Sequence, residues 1–336
     1  MPVTREDVIE AYRWILGRKP ESEAVVEKYL RHDDVGTMRL ALLRSAEFTG
    51  QYTALRPKEF RIKDADLEQP RIVFLHIMKT GGTTFHEILA NHFDAPLICP
   101  ERLGNLGAWT LDDLARFRLF SGHFDYQSCL AIPGRNKKIV TLLREPKARL
   151  LSYYYFLKAH RPEFAARNNS HFRLARELAP EPFFEHPDVR FHPDIRDKTV
   201  RLFCPGLPET QWRTLGAAHP FYAQPSETIE TAWRQLQGLA GFGIMEQFDK
   251  SLAVLSAALG LALKPVAPRQ VLADMMRTRP QFEPVERQAM TPALDGRLNE
   301  LTALDRELYR RAVPLFDQRY RTIPGAADID SSSPRA

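Results

Sequence analysis

The chain has 336 residues, of which 44% are hydrophobic and 26% charged, and a formal net charge of +5. That length fits one large domain with a small companion, and the composition is that of an ordinary globular chain rather than a low-complexity or fibrous one. The mild positive balance suits an anionic nucleotide or glycan, and with no basic tract interleaved with aromatics nucleic acid is not an expected partner.

The start, Met1-Pro2-Val3-Thr4, lacks the apolar core of a signal peptide. No stretch approaches ~18 uncharged apolar residues, so no membrane span is expected, which leaves room only for peripheral attachment to a membrane. Cys99, Cys129 and Cys204 are widely spaced and odd in number. They suit a reducing cytoplasm, the expected location, and form neither a disulfide framework nor a zinc site.

Residues 1–55 read as a helical module. Thr4 and Asp7 make an approximate capping box, Val8, Tyr12, Ile15 and Leu16 recur at helical spacing, and Gly17 and Pro20 end the helix. Further helices are predicted over Ser22–Arg31 and Val35–Leu43. Residues 56–70, charged and bounded by Pro57 and Pro70, read as a linker.

From Arg71 to about residue 322 short apolar strands alternate with helices. Ile72–Leu75, Leu119–Phe120, Ile139–Leu143 and Phe242–Met245 read as strands. Thr83 to about Phe93, Pro146 to about Lys158 and Ser251–Leu259 read as helices, the second with proline in its first turn and the third closed by Gly260. A last helix runs from about Arg297 to Phe316, kinked or broken at Pro314. Residues 159–240 read as helices and loops. This alternation predicts an α/β domain with a parallel sheet covered on both faces. Residues 323–336, with Ser331-Ser332-Ser333-Pro334, read as a disordered tail.

Three motifs carry chemistry. The first is His76-Ile77-Met78-Lys79-Thr80-Gly81-Gly82-Thr83-Thr84-Phe85, a glycine turn between a strand and a helix. Glycines let backbone amides approach an anion, the helix N-terminus adds partial positive charge, and Lys79 adds a full one. A Walker A loop places its lysine after the glycines; here the lysine comes first. The second motif is Arg144 at a strand end with Ser152 two turns into the next helix, a fork and a hydroxyl suited to a second phosphate. A nucleotide phosphorylated at both ends of its ribose needs two such sites, whereas an ATP or GTP enzyme needs one continuous cradle with magnesium. No strand ends in the aspartate of a Walker B motif. The third is Phe120-Ser121-Gly122-His123-Phe124, where His123 can serve as a base near neutral pH or sit buried against backbone. His76 is the rival base, or a shaper of the loop; Glu87 is more remote.

The first motif resembles the 5′-phosphosulfate loop of sulfotransferases that use 3′-phosphoadenosine 5′-phosphosulfate (PAPS). The resemblance implies that the amides of Thr80, Gly81, Gly82, Thr83 and Thr84 hold phosphate and sulfate. It places Lys79 on the bridging oxygen and lets the Thr83 and Thr84 hydroxyls donate. The run Leu142 to Phe156 resembles the family's 3′-phosphate site, R-[DE]-P-x-x-R-x-x-S-x-Y-x-F, with Arg144 and Ser152 on the two phosphate-binding positions. Arg149 falls on the family's second arginine, or pairs with a carboxylate of the fold. Tyr153–Phe156 read as core. In heparan sulfate 2-O-sulfotransferases, the group closest in motifs, a G-H element between these motifs carries the catalytic histidine, and His123 matches it.

Weaker likeness continues through Asp197–Leu202, similar to D-N-x-x-T-R-x-L but with Asp197 or Lys198 where asparagine is usual, which leaves the role of Arg201 open. Gly243–Leu252 is similar to G-x-x-E-x-F-D-x-S-L, and Asn299 with Asp305, Glu307, Leu308 and Tyr309 fits the family's last helix. The N-terminal helices resemble a bacterial helical module found beside glycan enzymes.

The resemblance implies a P-loop-like α/β fold and an enzyme that moves a sulfuryl group in line from PAPS to a carbohydrate hydroxyl, with Lys79 and His123 as catalytic residues and no metal. A bacterial cytoplasmic enzyme is expected. Lipid-linked saccharides, protein tyrosine and small alcohols stay open as acceptors. Lys158, Arg161, Arg167 and Arg173 face either an acidic sugar or solvent. The rivals are an ATP-dependent P-loop kinase, which magnesium dependence would reveal, and a non-catalytic glycan-binding protein, which would consume no PAPS.

Overall fold

The computed structural model describes residues 3–16, 18–43, 45, 47–48, 64–165, 170–204, 218, 220–265 and 272–324. Gly17, Arg167 and the serine-rich tail lie outside the described residues, as does most of the stretch read as a linker. The chain divides into two compact units, Met1–Arg61 and Ile62–Ala336.

The first unit holds α1 (Arg5–Leu16), α2 (Glu23–Leu30) and α3 (Val35–Leu43). The capping box forms in both directions: Thr4 N donates to Asp7 Oδ2 (2.9 Å) and Asp7 N to Thr4 Oγ1 (3.2 Å). Val8, Tyr12 and Leu16 of α1 close on Val26, Tyr29, Met38 and Leu42.

The second unit is built on four parallel strands, β1 (Arg71–Leu75), β2 (Leu119–Gly122), β3 (Lys137–Leu143) and β4 (Gly241–Ile244), in the order β2-β1-β3-β4. Its longer helices are α4 (Gly82–Ala90), α5 (Pro146–Lys158), α6 (Ser170–Glu177), α7 (Lys198–Phe203), α8 (Pro225–Gln237), α9 (Phe248–Leu259), α10 (Pro292–Leu301) and α11 (Ala303–Arg321). Within the stretch read as a linker, Asp64–Glu68 form a short helix. Arg71 ties it to the sheet by donating to Asp66 O (2.6 Å) and Ala115 O (2.7 Å).

Side chains alternate across a strand, so near-continuous apolar strands feed two cores. Ile72, Phe74, Val140 and Leu142 pack against Phe85 and Leu89 of α4 and Leu252 and Leu255 of α9. Val73, Leu75, Phe120, Leu143 and Ile244 face the other way, onto α7, α8 and α11 through Phe203, Ala232 and Phe316. A third cluster joins Leu150, Tyr154 and Leu157 of α5 to Phe183, Phe184 and Leu298 of α10. No helix among the described residues is long and apolar enough to cross a membrane.

The C-terminal helix departs from expectation. It breaks at Thr302, between α10 and α11, and continues unbroken past Pro314 to Arg321. The break is made by a distant residue. Asp197, at φ 46°, accepts from Leu304 N (2.8 Å) and Asp305 N (3.1 Å), so its carboxylate starts α11. Asp305 returns the favour for α7, accepting from Thr199 N (3.1 Å) and Val200 N (2.8 Å). Two buried carboxylates thus cap each other's helices. The fully buried Arg149 donates to Asp194 O and Ile195 O (both 3.2 Å) and faces Asp305 with its charge. Of the two roles open for Arg149, the structure shows the one in the fold.

Burial and the neighbouring Asp305 push Asp197 up to about 7. Burial raises Asp305 as well, against the opposing pull of Arg149 and two backbone N–H groups. A carboxyl whose folded value is raised binds extra protons when native. Its contribution to stability is complete below the unfolded value and is lost as pH rises through about 7. Asparagine keeps the left-handed backbone and the accepting oxygen without the charge. Asp197→Asn is therefore expected to stabilise the protein at pH 8 by on the order of 1–3 kcal/mol, seen as a higher Tm, and to change the Tm less at pH 5. Thermal denaturation at both pH values checks this; an equal loss at each would show that the carboxylate itself is required.

Candidate active site

All candidate residues issue from one edge of the sheet. Leu75 of β1 pairs in register with Gly122 of β2 and Thr141 of β3, and Leu143 of β3 pairs with Ile244 of β4. The residues just past these ends are His76, His123, Arg144 and Glu246. Strands lie ~4.8 Å apart, so side chains leaving adjacent strand ends converge, as in open α/β sheets generally.

The loop after β1 is held in an unusual path. Lys79 sits at φ 68° and Gly81 at φ 81°. Thr80 is buried and its hydroxyl donates to Ile77 O (2.8 Å), so only its backbone faces outward. A side chain at Gly81 would come within 2.4 Å of Met245 Sδ, and one at Gly82 within 2.0 Å of the His76 ring. The glycine pair is therefore required from beneath, where it makes room for Met245 and His76. Above, α4 opens on the amides of Gly82 and Thr83, and its N-cap, Gly81, has no side chain to cap them. Thr83 is exposed and Thr84 buried.

Lys79 is half-buried, with Nζ 3.8 Å from the centroid of the Phe156 ring. Burial, with the charge of Arg144, brings its ammonium down to about 7. Arg144 Nη1 donates to Lys79 O (3.0 Å) and so joins the first motif to the second. Ser152 lies one turn before Phe156 on the same face of α5, and its hydroxyl has no hydrogen-bond partner among the described residues. Lysine and arginine, read from two separate motifs, thus meet beyond the strand ends, with Ser152 one helical turn from the ring under the lysine.

Glu246 was legible only as part of a motif, and the structure gives it work. Its Oε1 accepts from Glu145 N (3.0 Å) and lies 4.0 Å from Arg144 Nε, while Oε2 accepts from Tyr309 OH (2.9 Å). It steadies the arginine and the first turn of α5, where Glu145 also caps Lys147 N and Ala148 N. Phe156, read as core, is the floor under the lysine.

His123 Nδ1 lies 2.8 Å from His76 O. A carbonyl only accepts, so Nδ1 carries the proton and Nε2 keeps its lone pair. Burial, then Lys198 and Arg102, lower the basicity of His123, against the opposing pull of the His76 carbonyl and Asp194. His76 is more deeply buried, stacked on Phe74 with its ring 4.3 Å from that of His123, and held well below the usual imidazole range. Its position makes it the shaper of the loop. The other cations read toward an acidic sugar are engaged: Lys158 Nζ donates to Ala175 O (3.1 Å), Arg161 Nε to Phe282 O (3.3 Å), and Arg173 pairs with Glu177.

Residues 71–190 match the family described as Sulfotransferase domain. That stretch of the chain is similar to a sulfotransferase domain. The heparan-sulfate 6-O-sulfotransferase 1-B of Danio rerio is 26% identical over 307 residues, spanning 79% of this chain and 70% of that protein. The protein-tyrosine sulfotransferase of Arabidopsis thaliana is 32% identical over 95 residues, and the heparan-sulfate 6-O-sulfotransferase 2 of Mus musculus 31% identical over 137. The chain spans 19% and 22% of the length of those two proteins. These heparan-sulfate relatives bear the 6-O name, where the motifs pointed to the 2-O group.

Gly82→Ala should force the His76 ring aside and lower stability by about 1–3 kcal/mol, as overpacking does. An unchanged Tm would mean the ring yields freely and does not fix the sulfotransferase loop.

Proposed function

We propose that this sulfotransferase takes its sulfuryl group from PAPS and passes it to a hydroxyl of a carbohydrate acceptor, with His123 as general base. The observation that carries the reading is the hydrogen bond from Arg144 Nη1 to Lys79 O, 3.0 Å, which makes one cradle of two anion-binding motifs. Two cations share that cradle with Glu246 as the nearest carboxylate to Arg144, a charge arrangement suited to a donor with phosphate at two corners.

PAPS supplies a sulfuryl group already activated by its bond to phosphate. The amides opening α4, with Lys79, fit its 5′ end; Arg144 and Ser152 fit its 3′-phosphate. Lys79, once protonated, opposes the negative charge that gathers on the leaving oxygen. The acceptor oxygen bonds to sulfur as the sulfur–oxygen bond to phosphate breaks, and the acceptor's proton passes to His123 Nε2. The hydrogen bond to His76 O keeps that nitrogen unprotonated and aimed.

The carbohydrate acceptor is favoured by the alignment that runs through 79% of this chain, to a relative named for heparan sulfate. The relative named for protein tyrosine matches over 28% of it. Three unpaired cysteines, two of them buried, support a reducing compartment, and the cytoplasm is the proposed location.

Thermal-shift measurements should show stabilisation by 3′,5′-ADP well beyond that by ATP or 5′-AMP; an equal or greater shift with ATP and magnesium would favour a kinase. Lys79→Ala and His123→Ala should each lower kcat by roughly 100-fold or more, with His123→Ala leaving the affinity for 3′,5′-ADP intact. The unliganded lysine near 7 adds a pH signature. An anion favours the protonated form, so binding of 3′,5′-ADP takes up a proton above about pH 7 and its affinity falls as pH rises. Calorimetry in buffers of different ionisation enthalpy reads that proton. Uptake undiminished in Lys79→Ala would locate it elsewhere.

A further inference from the structure

Arg102 lies beside His123 through its backbone and entered no motif. Its loop is fixed by backbone rather than by its own side chain. His123 N donates to Arg102 O (2.9 Å), a side chain at Gly122 would come 2.8 Å from that same carbonyl, and one at Gly104, at φ 94°, would come 3.0 Å from His123 O. Glu101 Oε1 steadies the turn by accepting from Leu103 N (2.7 Å) and Asn105 N (3.2 Å). Both glycines thus exist so that this loop can lie against the base. Leu103, 85% exposed, shows that the loop borders solvent.

The guanidinium so placed is unusual among its neighbours. Arg71 donates to four carbonyls, Arg118 to two, Arg149 to two, and Arg144 to Lys79 O. Arg102 is half-buried and has no hydrogen-bond or ion-pair partner among the described residues. Its charge bears on His76, His86 and His123, and Glu87 is the one carboxylate that bears on it. His86 Nδ1 is itself buried without a partner.

We infer that Arg102 is an anion site of the acceptor, whose fork takes a carboxylate on the sugar that presents its hydroxyl to His123. A planar fork matches a carboxylate through two parallel hydrogen bonds, and a half-buried guanidinium with unused donors gains most from such a partner. The inference rests on the proposed reaction and narrows its acceptor to an acidic sugar.

The test compares two acceptors, a uronate-containing oligosaccharide and the same oligosaccharide with its carboxylates reduced to alcohols. Arg102→Gln should raise KM for the acidic acceptor by roughly 10- to 100-fold, the worth of a charge-assisted pair. It should leave KM for the neutral acceptor and the Kd for 3′,5′-ADP as they were, and Arg102→Lys should restore part of the loss. Equal losses on both acceptors, or no loss, would overturn the assignment while leaving the proposed reaction standing. If the unaltered protein binds 3′,5′-ADP yet sulfates neither sugar, the carbohydrate acceptor falls and this site with it.

Discussion

Two cations, Lys79 and Arg144, are held together in a half-buried space against burial and against each other. The fold imposes this. Lys79 is locked at φ 68°, a backbone region that few residues other than glycine adopt, and its carbonyl is bound by the arginine whose charge opposes its own. Among the described residues Lys79 has no carboxylate partner, and Arg144 has Glu246, whose Oε1 lies 4.0 Å from Nε. Such an arrangement disfavours the unliganded protein and is relieved by an anion, so the strain and the repulsion both point toward binding. The Phe156 ring beneath the ammonium softens the burial without supplying a counter-charge.

His76 connects this cradle to the acceptor side. Its ring fills the space that Gly82 leaves empty and so fixes where the first amides of α4 stand. Its carbonyl orients His123. One residue therefore sets both the glycine loop and the tautomer of His123. A base that moves relative to the donor by even an ångström loses much of its effect. Placing both under the control of a single buried ring, itself stacked on Phe74 of the core, ties their separation to the packing of the sheet.

The local signals were legible. β1, the glycine turn, the proline-led α5 and the histidine after Gly122 are each written within about ten residues, because periodicity, turn chemistry and motif spacing act over that range. The parallel sheet followed from alternation. What the sequence did not disclose depends on contacts between distant residues. The start of α11 is set by Asp197, more than 100 positions earlier, which is why the helix breaks at Thr302 and not at Pro314. Arg149 could equally have met a phosphate, and only the arrival of residues 194 and 195 decides its role. Glu246 meets Glu145 and Tyr309 from opposite directions in sequence. Arg102 sits in a stretch with no periodicity, and its signal lies in two glycines whose meaning appears only once their neighbours are known.

His123, the proposed base, and Arg102 are also coupled through charge. In the free protein Arg102 helps hold His123 below the ordinary imidazole value, which guarantees a neutral ring at pH 7 but a weak base. A carboxylate held on Arg102 would cancel one of the two cations that depress the ring and set a negative charge near it. Both changes make the imidazolium easier to form. An acidic acceptor would thereby raise the basicity of His123 at the moment its own hydroxyl is in place, whereas water or a neutral alcohol would meet the weaker base. On this argument discrimination against hydrolysis of the donor comes from the charge of the acceptor as well as from the shape of the site.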